Sequence, residues 1–528
     1  MADLTTVLDT ITDVARLFQA ARVLAHHDAL IPREYANNVP AALKLVRRFF
    51  SRSTREEMAV PAGERLAHAL ESLGPAYIKL GQVLATRPDV IGEDIALALE
   101  SLQDRLPPFS TDAAKLEVHA DLGHPLETFF TKFGEPVAAA SIAQVHEAFT
   151  TDDPPRRVAV KVLRPAIESE FARDLSAFAL AARTAERFSA EARRLRVVAL
   201  VEMLAASVRL ELDLRMEAAA ASELAERTRN DEGFRVPQID WQRTGARTMT
   251  AEWVEGTPIR SAAELEASGH DPKQIAVLVI RHFLTQALRD GFFHADMHQG
   301  NLFVDAEGRL VAVDFGIMGR LDLAMRRFMA ETLAGFLARD YLRVAEVHYE
   351  AGFVPRLHPT ELFAQALRAI GEPIFGRTAQ NVSMAKLLQQ LFDTTRRFDM
   401  ELQPQLVLLQ KTMVVVEGVA RGLDPNFDIW EAARPVVESW MLDHLGPEAR
   451  LRDAAEGVST LGRLARDLPQ TLRNAEIVSA MLAEGGLRLH PQTAREIAAA
   501  QITATRHVRI ALWLLAAGTI GLLALSIV

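Results

Sequence analysis

The chain has 528 residues, 59 of them basic and 69 acidic for a net charge of −10, and no cysteine. A chain this long holds about three domains' worth of core. The acidic balance argues against nucleic acid as a partner, and the missing thiols exclude disulfides, thiolate metal sites and thiol chemistry. Asp3, Asp9 and Asp13, with no apolar run beside them, are unlike a secretory signal or transit peptide.

Residues 3–27 set Val7, Leu8, Ile11, Val14, Leu17, Phe18, Ala21 and Leu24 on one face of an amphipathic helix. Such a face packs on its own protein; the alternative, docking on a membrane surface, is disfavoured by the acidic first half. Lys44, Arg47, Arg48, Arg52 and Arg55 then surround Phe49-Phe50, either as a solvated basic face or as a contact for anionic lipid. In Gly74-Pro75-Ala76-Tyr77-Ile78-Lys79-Leu80-Gly81-Gln82 a lysine interrupts an apolar helix, where it can simply snorkel. Pro107-Pro108 marks a domain boundary.

Next comes Val137-Ala138-Ala139-Ala140-Ser141-Ile142-Ala143-Gln144-Val145, then a Pro-rich turn at Pro154-Pro155, then Val158-Ala159-Val160-Lys161. Val-Ala-Val-Lys is the strand whose lysine contacts the α- and β-phosphates of a nucleotide in protein kinases, so the Ala-rich stretch stands where those enzymes keep a Gly-rich loop. Glycine lets backbone amides approach phosphate closely and flexibly. Alanine permits the approach but stiffens the loop and restricts the poses of the nucleotide. The lysine needs a helical glutamate as partner, and Glu211, Asp213 and Glu217 lie on a helical run expected from about Val197. On one helix Glu211 and Glu217 would stand about 240° apart, so they must face different partners. Thr248 to Glu252 reads as a strand entering the Gly256-Thr257-Pro258 turn, a hinge offering the backbone of Glu252 and Val254 to adenine.

The most informative stretch is His294-Ala295-Asp296-Met297-His298-Gln299-Gly300-Asn301, followed by Asp314-Phe315-Gly316. The spacing His-x-Asp-x-x-x-x-Asn, then Asp-Phe-Gly, is that of a kinase catalytic loop and its metal-binding turn. Asp296 would sit at the phosphoryl acceptor, while Asn301 and Asp314 would hold Mg²⁺ against the phosphates. Leu302–Val304 and Leu310–Val313, with Asp305-Ala306-Glu307-Gly308 between them, predict the hairpin that links the two metal ligands. Three departures from kinases stand out. Ala295 replaces the arginine that answers activation-loop phosphorylation, no Ala-Pro-Glu follows Asp314, and Met297-His298-Gln299 replaces a rigid Pro-x-Pro. Residues 510–528 carry no charge and follow Arg506 and Arg509. As a helix they span about 28 Å, enough for one tail anchor with the preceding chain in the cytoplasm, or for a buried or dimerising helix.

Together these motifs resemble the UbiB family of atypical kinase-like proteins, which includes the mitochondrial coenzyme-Q kinase-like proteins. The resemblance rests on Lys79-x-Gly81-Gln82, the Ala-rich loop, Lys161, Glu211-x-Asp213 with Glu217, the catalytic loop and Asp314-Phe315-Gly316. Pro404-Gln405-Leu406-Val407-Leu408-Leu409-Gln410-Lys411-Thr412 and Glu417-Gly418-Val419-Ala420-Arg421 agree as well. It implies that Lys79, with Gln82 beside it, lies over the active site as a gate and meets Glu211 and Asp213, leaving Glu217 to Lys161. It also implies ATP and Mg²⁺ as cofactors, and an ATPase that helps a biosynthetic complex handle membrane-bound quinone precursors rather than a protein kinase. The expected partners are membrane lipid or quinone precursors, other ubiquinone-biosynthesis proteins and, in one reading of the tail, a second copy of the chain. The expected place is the bacterial inner membrane, with the catalytic part facing the cytoplasm.

The expected fold is therefore α+β: an atypical protein-kinase-like bilobal fold with a helical N-terminal extension and a C-terminal membrane helix. Its parts are the extension (1–110), an N-lobe (111–256), a C-lobe (257–450), a helical linker (451–507) and the tail helix (508–528). The same residues leave two alternatives open, a phosphotransferase acting on a lipid or small molecule and a non-catalytic scaffold holding nucleotide and lipid.

Overall fold

The computed structural model describes residues 2–29, 60–85, 91–99, 102, 107–355, 357–375, 390, 394, 397–398, 400 and 404–445. The chain divides into a unit of residues 1–441, to which the account below belongs, and one of residues 442–528. The basic cluster at 44–55, the linker at 451–507 and the tail helix at 508–528 fall outside the described residues. Among the described residues no helix is long and apolar enough to cross a membrane.

Helices α1 (Ala2–His26), α2 (Ala62–Leu73), α3 (Pro75–Ala85) and α4 (Glu93–Leu99) come first. Helix α5 (Thr111–Leu122) starts where the Ser110 hydroxyl accepts the Ala113 N–H and stops at Gly123, whose φ of 72° suits a residue without Cβ. After the single turn α6 (Leu126–Phe129), strands β1 (Phe130–Ala139), β2 (Ala143–Thr150) and β3 (Arg157–Leu163) form an antiparallel meander. Helices α7 (Ile167–Phe188), α8 (Ala190–Leu195), α9 (Val197–Glu211) and α10 (Leu214–Arg227) follow, then the short β4 (Phe234–Arg235). Strand β5 (Thr248–Glu252) completes the sheet in the order β1-β2-β3-β5. In β3 the period of two sends Val158, Val160 and Val162 to one face, under Ala114 and Val118 of α5. Lys161 therefore points to the opposite side.

That opposite side is where the N-terminal helices pack. Ala67, Leu70, Tyr77 and Leu99 share one core with Leu163, Ile167, Phe171, Leu204, Leu214 and Met249. Gly81 explains itself here. A Cβ on it would meet Leu102 Cδ1 at 2.3 Å and Leu70 Cδ1 at 2.8 Å, so α3 can approach only at a bare backbone. Helix α1 departs from its expected docking. Val14 and Phe18, placed on the apolar face by periodicity, are 53% and 58% exposed, while Ala20 and Ala25 are buried. Polar contacts to α7 set the docking side instead: Arg16 pairs with Asp174, and the Ser176 hydroxyl donates to Asp13 at 2.7 Å.

A second sheet is built from β6 (Thr257–Pro258), β8 (Leu302–Val304), β9 (Leu310–Ala312) and β4 in the order β4-β9-β8-β6. Strands β7 (Phe292–His294) and β10 (Met318–Arg320) pair separately. The expected hairpin is present as β8 and β9, closed by Gly308 at φ 79°. Around these strands lie α11 (Ala262–Ala267), α12 (Pro272–Thr285), α13 (Leu323–Ala338), α14 (Tyr341–Glu350), α15 (Thr360–Phe375), α16 (Pro404–Leu423) and α17 (Ile429–Leu445). Sheet-rich and helix-rich parts in sequence give the expected α+β, kinase-like arrangement.

His348 of α14 makes folding pH-dependent. It is 1% exposed between the rings of Phe328 and Phe363, and its Nδ1 lies 2.8 Å from the Val344 carbonyl. Burial lowers its pKa from 6.5 to about 4. Below pH 6.5 the unfolded chain takes up a proton that the folded chain refuses, so stability is lost as pH falls from about 6.5 toward 4. This group should remove about 2 kcal/mol between pH 7 and pH 5. Urea unfolding of His348→Leu at both pH values should show that part of the loss abolished; an unchanged pH dependence rules the assignment out.

Candidate nucleotide site

The site is assembled on one ammonium group. Lys161 Nζ on β3 donates to Glu217 Oε1 and Oε2 at 2.7 and 2.8 Å and to Asp314 Oδ1 at 3.1 Å. Burial disfavours the Lys161 charge, but Asp314 and Glu217 together reverse this and hold its pKa above the ordinary lysine range. The two acids respond oppositely. Lysine holds Asp314 well below the usual carboxylate range, whereas burial raises Glu217 to about 7. Exposure agrees with that split: the Asp314 side chain is 49% exposed and that of Glu217 only 9%. Ionisation is easier where water still reaches.

Glu217 reaches Lys161 because the expected single helix breaks. Helix α9 ends at Glu211, and Asp213 turns extended (φ −117°, ψ 95°) to cap α10 by accepting the Arg215 N–H. A short acidic side chain is more useful at a helix start than inside one. Glu211 and Glu217 do face different partners, but through this break rather than through the angle around one helix. Lys79 Nζ meets Glu211 Oε2 at 2.6 Å. Asp213, expected to meet Lys79 too, carries the Arg215 guanidinium instead, at 2.8 and 2.7 Å. Gln82 lies one turn beyond Lys79 on α3, half-buried.

The Ala-rich stretch does not fold as one loop. Val137, Ala138 and Ala139 end β1, and Ala143, Gln144 and Val145 begin β2. Only Ala140, Ser141 and Ile142 turn between them, closed by Ala140 N–H to Ala143 O at 2.8 Å. Gln144 faces inward, contrary to a role for its side chain at the nucleotide. It accepts the Phe109 N–H at 3.0 Å and donates to the Phe109 carbonyl at 3.2 Å. Arg164 Nη2 donates to the Ala140 carbonyl at 2.8 Å and the Pro107 carbonyl at 2.9 Å. The turn is thus tied to residues 107–109, a restraint that sequence spacing does not reveal. At the hinge, the Glu252 N–H is committed to Gln238 O at 2.8 Å and its carboxylate to Arg235. Its carbonyl and the backbone of Val254 are what the hinge can offer a base.

The catalytic loop is clamped by its own histidines. His294 Nδ1 accepts the Asp296 N–H at 3.1 Å, which leaves Nε2 as the donor to the Val313 carbonyl at 3.2 Å. Burial keeps this imidazole neutral, its pKa below the usual histidine range. Asn301 Nδ2 donates to the Asp296 carbonyl at 3.1 Å, and the Val313 N–H donates to the Asn301 carbonyl at 2.9 Å. Asp314 follows at φ 63°, a left-handed conformation that only a few side chains tolerate and that collects at functional sites. The missing prolines do not leave the loop slack. His298 Nδ1 accepts the Gly300 N–H at 3.0 Å, and its Nε2 stands 3.7 Å from Asp296 Oδ2. Sequence reasoning treated His298 only as an absent proline; its position two residues after Asp296 was the available signal.

The donors fit a hard divalent cation. Asp314 offers a carboxylate, and because the Asn301 amide nitrogen is engaged, its oxygen is the end left for a cation. Among the described residues no three His, Asp or Glu side chains group to hold a metal alone. Two protein oxygens with phosphate oxygens completing the shell is the usual arrangement for Mg²⁺.

Residues 101–348 match the ABC1 atypical kinase-like domain, and residues 367–428 match the UbiB helical domain. The Probable protein kinase UbiB of Marinobacter nauticus is 38% identical over 471 residues, 88% of this chain and 85% of its own. Its namesake from Pseudomonas entomophila is 40% identical over 438 residues, 81% of each chain. Among solved structures, the Rv3197 chain in its erythromycin complex from Mycobacterium tuberculosis is similar over 71% of this chain and 95% of its own, at 24% identity and a TM-score of 0.48.

Removing the ammonium should leave Glu217 as an uncompensated buried acid. Lys161→Met is expected to lower the unfolding temperature and weaken Mg-nucleotide binding about tenfold or more. Adding Glu217→Gln should recover the stability but not the affinity. Thermal unfolding and calorimetric titration check this; nucleotide affinity returning with stability would show that Lys161 only holds the fold.

Proposed function

The chain belongs to the UbiB family of ABC1 atypical kinase-like proteins, and from that premise we propose that it is a Mg-ATP-dependent ATPase supporting ubiquinone biosynthesis. Hydrolysis would give a biosynthetic complex access to polyprenyl-phenol precursors held in the membrane. The observation that carries the reading is Lys161 held between Glu217 and Asp314, with Asp296 and Asn301 hydrogen-bonded into one loop below them.

Each residue has a distinct task. Lys161 exchanges Asp314 for phosphate oxygens while Glu217 keeps its orientation. Backbone of the turn 140–142 and its flanks, from Val137 to Val145, lies along the phosphates, and Glu252 and Val254 present hinge backbone to the base. Asn301 and Asp314 would hold Mg²⁺, which supplies neutralisation of the phosphate charge. Asp296, 39% exposed at its side chain, orients a water molecule. As the new P–O bond forms and the bridging P–O bond to ADP breaks, Asp296 takes the proton and returns it to solvent. Lys79, paired with Glu211 and flanked by Gln82, acts as the gate.

Protein phosphorylation fits less well. Ala295 cannot answer an activation-loop phosphate, and no Ala-Pro-Glu platform follows Asp314. In this reading residues 1–110 are the extension, 111–256 and 257–450 the two lobes, 451–507 a linker and 508–528 an anchor in the inner membrane. Quinone precursors and other biosynthetic proteins are the partners.

The test is phosphate release from Mg-ATP by the full chain, with and without anionic vesicles and a phenol resembling the precursor, beside Asp314→Asn. Release stimulated severalfold by lipid or phenol and reduced at least a hundredfold in the variant is expected. Release equal in the variant, or nucleotide binding with no release, would sink the ATPase and favour a scaffold.

A further inference from the structure

The motif Lys411-Thr412 on α16 has no part in the chemistry above, yet Thr412 is fully buried against the catalytic loop. A buried helical threonine usually satisfies its hydroxyl on the carbonyl four residues back. Thr412 does this, with Oγ1 2.9 Å from the Leu408 carbonyl. A second carbonyl lies equally close, that of Ala295 at 3.0 Å. The hydroxyl has one proton, so the two carbonyls share it. Leu408 alone would satisfy the side chain; the contact to Ala295 serves the loop.

Ala295 is the residue standing where a kinase carries its phosphate-answering arginine. It is buried, and its N–H donates to the Ile317 carbonyl at 3.0 Å. Its carbonyl belongs to the peptide that sets the orientation of Asp296. The Asp296 N–H is held by His294 and its carbonyl by Asn301. With Thr412 on the Ala295 carbonyl, the N–H and C=O of both Ala295 and Asp296 have partners. A buried carbonyl without a donor is costly, and position 295 itself brings no polar side chain to the loop.

We propose that Thr412 is a positioning residue for Asp296, through which helix α16 fixes the catalytic loop in place of control by an activation segment. The kinetic part of the test rests on the ATPase reading; the exchange part does not. Thr412→Val removes the hydroxyl and keeps the shape, Thr412→Ser keeps the hydroxyl, and Thr412→Ala removes both. Hydrogen exchange of residues 292–301 should speed up about tenfold in Val and stay near wild type in Ser. Phosphate release should show kcat about tenfold lower in Val with KM for ATP within about twofold, and recovery in Ser. If Val does not fold, Ser against Ala isolates the hydroxyl in the same way. Should Ser behave like the variants without a hydroxyl, or should those match wild type in loop exchange, the proposal is overturned. Wild-type chain that releases no phosphate but shows the exchange pattern would defeat the ATPase reading and leave the positioning role standing.

Discussion

A single ammonium group joins three distant parts of the chain. Lys161 comes from a strand, Glu217 from the first turn of a helix and Asp314 from the turn after a hairpin, and none reaches the others except through the fold. Burying one cation between two acids works only because the acids differ. Lys161 holds Asp314 ionised, while burial draws the enclosed Glu217 toward neutrality. In the proposed reading the trio is a phosphate site whose charges redistribute when the nucleotide binds.

The loop beneath is a kinase loop rebuilt from other parts. Where proline would stiffen it, His298 turns back on the Gly300 N–H; at Ala295, where kinases carry an arginine, the backbone carbonyl meets the hydroxyl of Thr412. Both replacements are present without modification of the chain. A loop braced this way has no need for an on-switch in an activation segment, which suits the proposed reading of the Lys79–Glu211 pair as the gate.

What sequence reveals here follows from range. The alternation in Val158-Ala159-Val160-Lys161 and the turn Asp305-Ala306-Glu307-Gly308 are local signals, and both elements formed as expected. The pairing of Lys161 with Glu217 came from the family resemblance, since the residues alone left Glu211, Asp213 and Glu217 all open as its partner. Long-range polar contacts were not legible: Arg164 to Pro107, Gln144 to Phe109, Arg16 to Asp174 and Thr412 to Ala295. No periodicity encodes which arginine meets which carbonyl. The break at Asp213 was missed for a different reason. From Val208 to Glu217 apolar and charged residues alternate with period two, which interrupts the helical pattern, and the expectation of a single helix passed over that signal.

The core shared between the first helices and the first sheet also bears on how the chain is made. Ala67, Leu70, Tyr77 and Leu99 leave the ribosome well before Leu163, Leu204 and Met249, the residues that bury them. At ordinary elongation rates that gap lasts on the order of ten seconds, during which amphipathic helices wait with their apolar faces uncovered. Helix α1 waits as well, since its anchor Asp174 lies on α7. These helices are thus synthesised before the residues that bury them, and nascent chains of intermediate length are the ones most in need of a chaperone.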